Sequence, residues 1–173
     1  MKHLINIVIV ALSLTLTGCI SDKSESSDKT TLVKVGDMAP DFTTELYPSG
    51  SLTLSSIRGK VVLLTLWDPQ CPMCRSEIAV VEEKIINHFE GCEFYYLPVA
   101  RSQSRSTIDG FCKTNGYTFP IGMDPQQAIY NLYASMYVPR SFIIDRKGII
   151  RHIYVEYELS ELDNIVATIE QML

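Results

Sequence analysis

The sequence lacks several features that would place it in common functional classes. Its 15 Lys and Arg residues are outnumbered by 20 Asp and Glu residues, and the resulting net charge of −5 does not suit a nucleic-acid-binding protein. No internal repeat is present, and the apolar run from Leu4 to Leu16 is too short to span a bilayer comfortably. The sequence therefore argues against nucleic-acid partners and against a membrane-spanning helix.

The first 18 residues have the composition of a targeting segment, with a short basic start, the apolar run and small residues before Cys19. The stretch Leu16-Thr17-Gly18-Cys19 resembles the lipobox of bacterial lipoproteins, in which the cysteine is acylated and becomes the new N-terminus. An ordinary signal peptide with a stray cysteine is the alternative. We expect residues 1–18 to be a lipoprotein signal peptide, and lipid on Cys19 to hold the protein on an envelope membrane, facing the periplasm.

The rest of the chain divides into a tether and one domain. Residues 19–32 are mostly small, polar and charged, a composition that predicts a flexible tether because it cannot bury apolar surface. Residues 33–173 have the length of a single domain. Since thiols of exported proteins face oxidants, the chemistry of the remaining cysteines matters. These are Cys71, Cys74, Cys92 and Cys112.

Buried strands and amphipathic helices alternate along the domain. The run Lys60–Trp67 predicts a central strand buried on both faces, and apolar residues at helical spacing predict a helix from about Cys71 to Gly91. Ser160 and Asp163, a variant of the capping box, predict the start of the final helix. The other predicted elements are an N-terminal hairpin within Val35–Leu54, strands Glu93–Val99, Ser141–Asp145 and Ile149–Val155, and helices Ser106–Thr114 and Asp124–Ala134. Together they predict a layered α/β domain.

Cys71 and Cys74 stand where the central strand gives way to the first helix. The thiolate is the nucleophile of disulfide exchange, and the N–H groups and dipole of a helix start favour the ionised form of Cys71. Pro72 suits the first helical position, and Cys74, one turn on, can resolve a mixed disulfide. Half of a zinc site and a purely structural disulfide are the alternatives, although no second ligand pair has a familiar spacing.

Three segments together resemble the TlpA/ResA-type thioredoxin-like reductases, which are membrane-anchored and related to peroxiredoxins. They are the active-site segment Trp67–Glu77, the segment Gly36–Phe42, and the segment Tyr137–Asp145 that carries the cis-proline of thioredoxin folds. The resemblance implies a thioredoxin fold: a central mixed sheet flanked by helices, with an added N-terminal β-hairpin and a central α insertion. It also implies a thiol–disulfide oxidoreductase whose redox group is the Cys71–Cys74 disulfide, with no metal and no other cofactor.

The resemblance also implies roles for residues around the two thiols. Pro139 is expected to follow a cis peptide bond, and the Val138 backbone to form hydrogen bonds with an incoming peptide, as in β-strand addition. Glu77 falls on the same helix face as Cys74 and is the candidate base for that thiol. A solvated Glu that only complements the helix dipole is the alternative.

Two more residues are candidates for the substrate-binding surface. Trp67 is close to the site in sequence, although core packing is its simplest interpretation. Arg140 is expected to be either a solvated surface charge or a cation near enough to favour the Cys71 thiolate. Cys92 and Cys112 are expected to be buried free thiols, and a disulfide between them stays open.

The chain departs from the family pattern at three positions. Gln70 and Ala79 stand where the family commonly has a Trp before the first Cys and a Pro after the Glu, so substrate contacts are expected to differ. Thr65 lies six residues before Cys71, where thioredoxin keeps a buried Asp. The proton acceptor for Cys74 must therefore be another group.

These features predict an enzyme that reduces disulfides of exported proteins, in cytochrome c maturation or in general envelope thiol homeostasis. In the resembling family the best-known substrates are the haem-binding thiols of apo-cytochrome c, and a transmembrane thiol carrier supplies electrons. An oxidant or isomerase of the same fold is the main alternative, because direction depends on reduction potential. A peroxiredoxin is disfavoured, since the Pro-x-x-x-Thr-x-x-Cys signature is absent around Cys71. A non-catalytic binding module is the remaining alternative.

Overall fold

The apolar run predicted as the central strand forms β3 (Val61–Trp67), and all seven of its residues are buried. The computed structural model of the chain describes residues 29–156 and 158–173, so the signal peptide, Cys19 and the tether up to residue 28 lie outside the described residues. The other strands are β1 (Thr43–Tyr47), β2 (Ser51–Thr53), β4 (Phe94–Arg101), β5 (Ile121–Asp124), β6 (Arg140–Ile144) and β7 (Ile150–Val155). The α-helices are α1 (Pro72–Val81), α2 (Arg105–Asn115), α3 (Tyr130–Tyr133) and α4 (Leu162–Glu170).

One mixed sheet joins these strands in the order β2-β1-β5-β4-β3-β6-β7. Strands β3, β4 and β5 are parallel to one another, whereas β6 runs antiparallel to β3 and forms a hairpin with β7. The predicted N-terminal hairpin is β1 and β2, which pair antiparallel around Pro48-Ser49-Gly50. The predicted thioredoxin fold, with its mixed sheet and added hairpin, is confirmed.

The central segment differs from the predicted elements, because much of the expected helix Asp124–Ala134 is not helical. A strand, β5, ends at Asp124, and α3 covers only Tyr130–Tyr133. Gly122 lets β5 approach its neighbours, since a Cβ at that position would lie 3.0 Å from side-chain atoms of both Thr44 and Val99. The Asp124 carboxylate accepts a hydrogen bond from the Tyr130 backbone N–H at 2.7 Å, which connects the strand to the short helix.

The start of the final helix also differs from the prediction. A 3-10 turn at Leu159–Glu161 precedes α4, and the cap residue Glu161 makes no side-chain capping bond. The prediction of a capping box at Ser160 and Asp163 is therefore wrong, because Ser160 lies inside the 3-10 turn. The predicted helix itself is present, and Leu162, Ile165 and Ile169 form its buried face. Among the described residues, no helix has the length and apolar character needed to cross a membrane.

The predicted first helix corresponds to α1 together with the π-helical turn at Glu82–Ile86 that continues it. It ends at Ile86 rather than at the predicted Gly91, because the backbone forms turns over the last residues before that glycine. Its buried face includes Ile78, Val81 and Ile85, which pack into the single core that the sheet shares with the helices. This packing fixes α1 against the end of β3. The position of the helix start relative to the sheet is therefore fixed, and with it the positions of Cys71 and Cys74.

Candidate active site

Cys71 is the N-cap residue of α1, with extended backbone angles of φ −78° and ψ 121°. Pro72 occupies the first turn, where a missing N–H leaves no hydrogen bond unmade. The turn from β3 is closed by two bonds to Asp68: the Gln70 N–H donates to its side chain at 2.8 Å and the Cys71 N–H to its carbonyl at 3.0 Å. The predicted position of Cys71 at a strand-to-helix junction is confirmed.

The half-buried thiol of Cys71 has two hydrogen-bond partners. Its sulfur accepts from the Cys74 N–H at 3.4 Å, and its S–H donates to the Val138 carbonyl at 3.6 Å. The first bond strengthens when the sulfur is ionised, because N–H groups at a helix start favour negative charge. Since Val138 immediately precedes Pro139, the second bond places the reactive thiol directly against the proline loop.

The thiol of Cys74 is fully buried, one turn into α1. Burial is the largest cause that raises its pKa far above the usual range of a thiol, and the side-chain hydrogen bond with Cys71 adds to it. The charge of Glu77 raises the same pKa further. Cys74 therefore stays protonated at neutral pH, so its attack on a mixed disulfide requires a base.

Glu77 is buried, with only 3% of its surface exposed. The alternative of a solvated Glu at the helix start is therefore wrong. Its charge raises the pKa of Cys74 on one side and contributes to the raised pKa of Tyr96 on another. The carboxyl group thus lies in the interior close to the thiol that must lose a proton, as the candidate base requires.

Three hydroxyl-bearing residues lie on the sheet near this carboxyl group. Thr65, which replaces thioredoxin's buried Asp, shares a 2.7 Å hydrogen bond with Ser141 on the neighbouring strand. The Tyr96 hydroxyl is buried beside the Thr65 hydroxyl. Its pKa is raised well above normal, first by burial and then by the Glu77 charge, and the Thr65 hydroxyl opposes the rise. Sequence reasoning missed Tyr96, although a tyrosine within a predicted buried strand was an available signal.

The peptide bond between Val138 and Pro139 is cis, as the resemblance implied. Tyr137, just before it, has φ +70°, in the left-handed region that a non-glycine residue rarely adopts. Its carbonyl accepts a hydrogen bond from the Tyr130 hydroxyl at 2.9 Å. The hydrogen bond from Tyr130 therefore helps to fix the conformation of the loop that faces Cys71.

Arg140 is not a solvated surface charge, because its side chain is completely buried. Its guanidinium donates to the Thr30 hydroxyl at 2.8 Å, to the Met136 carbonyl at 2.7 Å and to the Thr31 hydroxyl. These partners belong to the N-terminal segment and to the loop before Pro139. A direct effect of Arg140 on the Cys71 thiolate stays a prediction.

Trp67 has no exposed surface and packs on Phe111 of α2, with 5.4 Å between ring centroids. This burial agrees with core packing beside the site, and a direct substrate contact would require the core to open. A cleft of about 350 Å³ lies beside α1 instead. Its walls are formed by Met73, Ser76, Glu77, Glu158 and Leu159. The last two come from the segment before α4, which sequence reasoning did not connect with the site.

All four cysteines of the domain are free thiols in this structure. Cys112 is buried as expected, and burial raises its pKa to about 11. Cys92 is exposed, so its interpretation as a buried thiol is wrong. Within the part of the chain that the structure describes, no group of three or more potential ligands could hold a metal ion.

Comparison with known proteins reveals relatives in sequence and in structure. Residues 35–153 match the AhpC/TSA family. The thiol–disulfide oxidoreductase ResA of Geobacillus kaustophilus is 33% identical over 124 residues, which are 71% of this chain and 70% of the relative. ResA of Geobacillus thermodenitrificans is 31% identical over 147 residues, which are 84% and 83% of the two chains.

Two solved structures extend the comparison. The solution structure of a candidate protein disulfide isomerase from Bacteroides thetaiotaomicron has a TM-score of 0.78 and 35% identity, covering 83% of this chain and 92% of its own. The crystal structure of a candidate thiol:disulfide interchange protein DsbE from Chlorobium tepidum has a TM-score of 0.74 and 24% identity, covering 81% of this chain and 98% of its own. The second likeness concerns the fold alone, whereas the first extends to the sequence.

Proposed function

Because the chain belongs to the AhpC/TSA family and is a thiol–disulfide oxidoreductase of the thioredoxin fold, we propose that it reduces disulfides of exported proteins while anchored by lipid on Cys19. One observation carries the thiol–disulfide exchange chemistry. A half-buried Cys71 at the helix start faces the cis-proline loop, and a fully buried, protonated Cys74 lies one turn behind it. The first thiol can meet a substrate, and the second is protected until it is needed.

Reduction takes two displacement steps. The Cys71 thiolate attacks one sulfur of the substrate disulfide, which forms a mixed disulfide and releases the other sulfur as a thiolate that takes up a proton. Cys74 then gives its proton to a base, for which Glu77 is the candidate, and attacks the Cys71 sulfur. The second substrate thiol leaves, two electrons have passed to the substrate, and the Cys71–Cys74 disulfide remains.

The surroundings of Cys71 suit an unfolded polypeptide substrate. Four large apolar side chains near the site are exposed: Met73, Met136, Tyr137 and Leu159. Flexible methionines adapt to many partner side chains, as in proteins that bind diverse sequences. These residues support substrates such as apo-cytochrome c or other exported proteins whose cysteines lie in extended, partly apolar segments.

The oxidised enzyme needs a two-electron donor to begin a new cycle. In the proposed scheme a transmembrane thiol carrier reduces the Cys71–Cys74 disulfide from the membrane side, and lipid on Cys19 keeps the domain within its reach. The resemblance to membrane-anchored reductases of the ResA type supports both parts of this scheme. Neither a metal nor a soluble cofactor takes part in it.

Insulin reduction by the full chain, purified in detergent, tests the proposal. We expect the wild type to catalyse reduction by dithiothreitol, and Cys71→Ser and Cys74→Ser to lose that activity. The potential of the couple then decides direction: we expect it nearer thioredoxin's ~ −270 mV than the ~ −120 mV of the periplasmic oxidant DsbA. A catalytically silent wild type would favour a binding module, and a potential near −120 mV would reverse the direction.

Disulfide isomerisation is a second candidate, favoured by the 35% identity to the candidate isomerase of Bacteroides thetaiotaomicron. An isomerase must release a mixed disulfide in either direction, so it needs a couple of intermediate potential. Recovery of activity from scrambled ribonuclease, in a buffer of reduced and oxidised glutathione, measures this directly. Efficient recovery together with an intermediate potential would select isomerisation over net reduction.

A further inference from the structure

Arg140 follows the cis-proline directly and carries a buried positive charge that the redox chemistry does not use. A buried guanidinium is costly unless its donors are bonded, and Arg140 has five of them in a fixed plane. The bonds described above go to Met136 in the proline loop and to Thr30 and Thr31 at the start of the described chain. One side chain therefore joins two segments more than 100 residues apart in sequence.

The conformation of the loop from Met136 to Pro139 depends on hydrogen bonds from side chains outside the loop. Three consecutive carbonyl groups of this loop accept hydrogen bonds: Met136 from Arg140 at 2.7 Å, Tyr137 from the Tyr130 hydroxyl at 2.9 Å, and Val138 from the Cys71 thiol at 3.6 Å. The left-handed backbone of Tyr137 persists only where surrounding contacts enforce it. The Arg140 bond supplies one such contact on the side away from Cys71.

Residues 30–32, which we name the N-terminal strap, lie against the segment that leads into this loop. The Leu32 N–H donates to the Tyr133 carbonyl at 2.9 Å, and the Ser135 N–H donates to the Thr30 carbonyl at 2.9 Å. Thr31 forms an isolated antiparallel bridge with Ala134. The strap is thus paired by its backbone as well as by the threonine hydroxyls that face Arg140.

We propose that Arg140 is a positioning residue for substrate binding, and that the strap completes it by supplying two of the acceptors that hold its guanidinium against the proline loop. This inference rests on the proposed function, in which a substrate backbone docks at Val138. The segment between the membrane anchor and the domain is then part of the substrate site as well as a tether. Loosening the strap weakens binding and leaves the reactivity of Cys71 unchanged.

The test compares paired threonine substitutions in the full chain. Thr30→Val with Thr31→Val removes both hydroxyl acceptors at nearly constant side-chain volume. Thr43→Val with Thr53→Val is the matched control, because it removes a 2.8 Å bond between two threonine hydroxyls on the distant β1–β2 hairpin. Thr30→Ser with Thr31→Ser is the conservative rescue, since it keeps both hydroxyls.

We expect the Val pair at the strap to raise KM for a peptide disulfide roughly tenfold, the loss expected when bonds to a charged group are removed. Its kcat, and its rate of alkylation at Cys71 by iodoacetamide, should stay near wild type. Hydrogen exchange should become faster in the peptide that contains residues 136–140. The control pair and the Ser pair should match wild type in all of these measurements.

Two results would overturn the inference. One is a Val pair at the strap whose KM and hydrogen exchange equal those of the control pair. The other is a slower alkylation of Cys71 that accounts for the whole loss of activity, because positioning then acts on the thiol rather than on binding. A wild type that reduces no disulfide would instead refute the proposed function itself. Arg140→Lys, which keeps the charge but not the planar fork, should also raise KM.

Discussion

The buried carboxyl group of Glu77 lies one helical turn after the buried thiol of Cys74, and its charge helps to raise the pKa of that thiol. The proposed role of Glu77 as base depends on the same proximity, because the carboxylate would have to take the thiol proton when the mixed disulfide is resolved. In that proposal one residue both makes Cys74 harder to ionise at rest and receives its proton during the reaction.

Replacing Glu77 with Gln separates these two effects. If Glu77 is the base, resolution of the mixed disulfide should slow by about 10²-fold or more, while the first attack by Cys71 persists. Stopped-flow measurement of both steps across pH provides the test, with Glu83→Gln as the control at an exposed position in the π-helical turn that follows α1. Loss of the charge also lowers the pKa of Cys74, so faster resolution in the variant would remove Glu77 from the base role.

Alkylation tests the order in which the two thiols react. Cys71 at the helix start should react with a limiting reagent long before the buried Cys74. Because Cys92 is exposed and would compete for reagent, the experiment needs a Cys92→Ser background. In that background, Cys74→Ser should accumulate mixed disulfides with its substrates. Preferential labelling of Cys74 by mass spectrometry contradicts this order.

The buried hydroxyl of Tyr96 leads to a stability prediction. Tyr96→Phe should change the free energy of unfolding by less than about 1 kcal/mol, because the Thr65 hydroxyl beside it is already bonded to Ser141 at 2.7 Å and makes only a weak contact with Tyr96. Tyr133→Phe is the matched variant, since that buried hydroxyl donates to the Pro40 carbonyl at 2.6 Å, and its loss should cost about 1 kcal/mol. Urea titration measures both. Equal destabilisation would show that Tyr96 has an effective partner.

The raised pKa of Cys112 predicts how stability depends on pH. Its folded-state pKa of about 11 lies above its reference value of 9.0, so folding favours the protonated thiol. The corresponding stability is complete below about pH 9 and is lost as pH rises toward 11. In urea titrations from pH 7 to 10, Cys112→Ala should lose less stability than wild type. Cys92→Ala, at an exposed position, should follow the wild-type curve; a Cys112→Ala curve parallel to wild type contradicts the assignment.

The lipid anchor is tested by Cys19→Ala. This change should release the protein from the membrane fraction and abolish incorporation of labelled fatty acid, because acylation needs the cysteine thiol. Ser21→Ala, two residues further along the chain, is the control and should remain bound. Retention of the Cys19 variant in the membrane fraction, with no lipid label on the wild type, excludes the anchor.

Local patterns were sufficient to predict the central part of the site. The continuous apolar run of β3 fixes one strand, and the spacing of Cys71 and Cys74 at its end fixes the start of α1. Both depend on neighbours within a few residues, and the cis-proline followed from a motif of similar length. The distances between these parts could not be predicted, since they depend on how β3 pairs with β6.

Features that depend on distant residues were missed. Arg140 looked like a surface charge because its acceptors on Thr30 and Thr31 are about 110 positions away. Strand β5 was missed because it has four residues and contains Gly122, whose role depends on the close approach of Thr44 and Val99. In both cases the deciding contact is tertiary, and no local periodicity reports it.

The added hairpin and the N-terminal segment also determine which strand edges remain open. Strand β5 would be an edge strand without β1, and the outermost strand beyond it, β2, has only three residues. At the other side of the sheet, Gly36 and Asp37 form backbone hydrogen bonds with Ile150, at the start of β7. Short edges, and edges covered at one end, are poorer templates for an incoming strand. If the substrates are unfolded chains, as proposed, this arrangement limits strand pairing at β2 and at the start of β7 and leaves the loop beside Cys71 for peptide pairing.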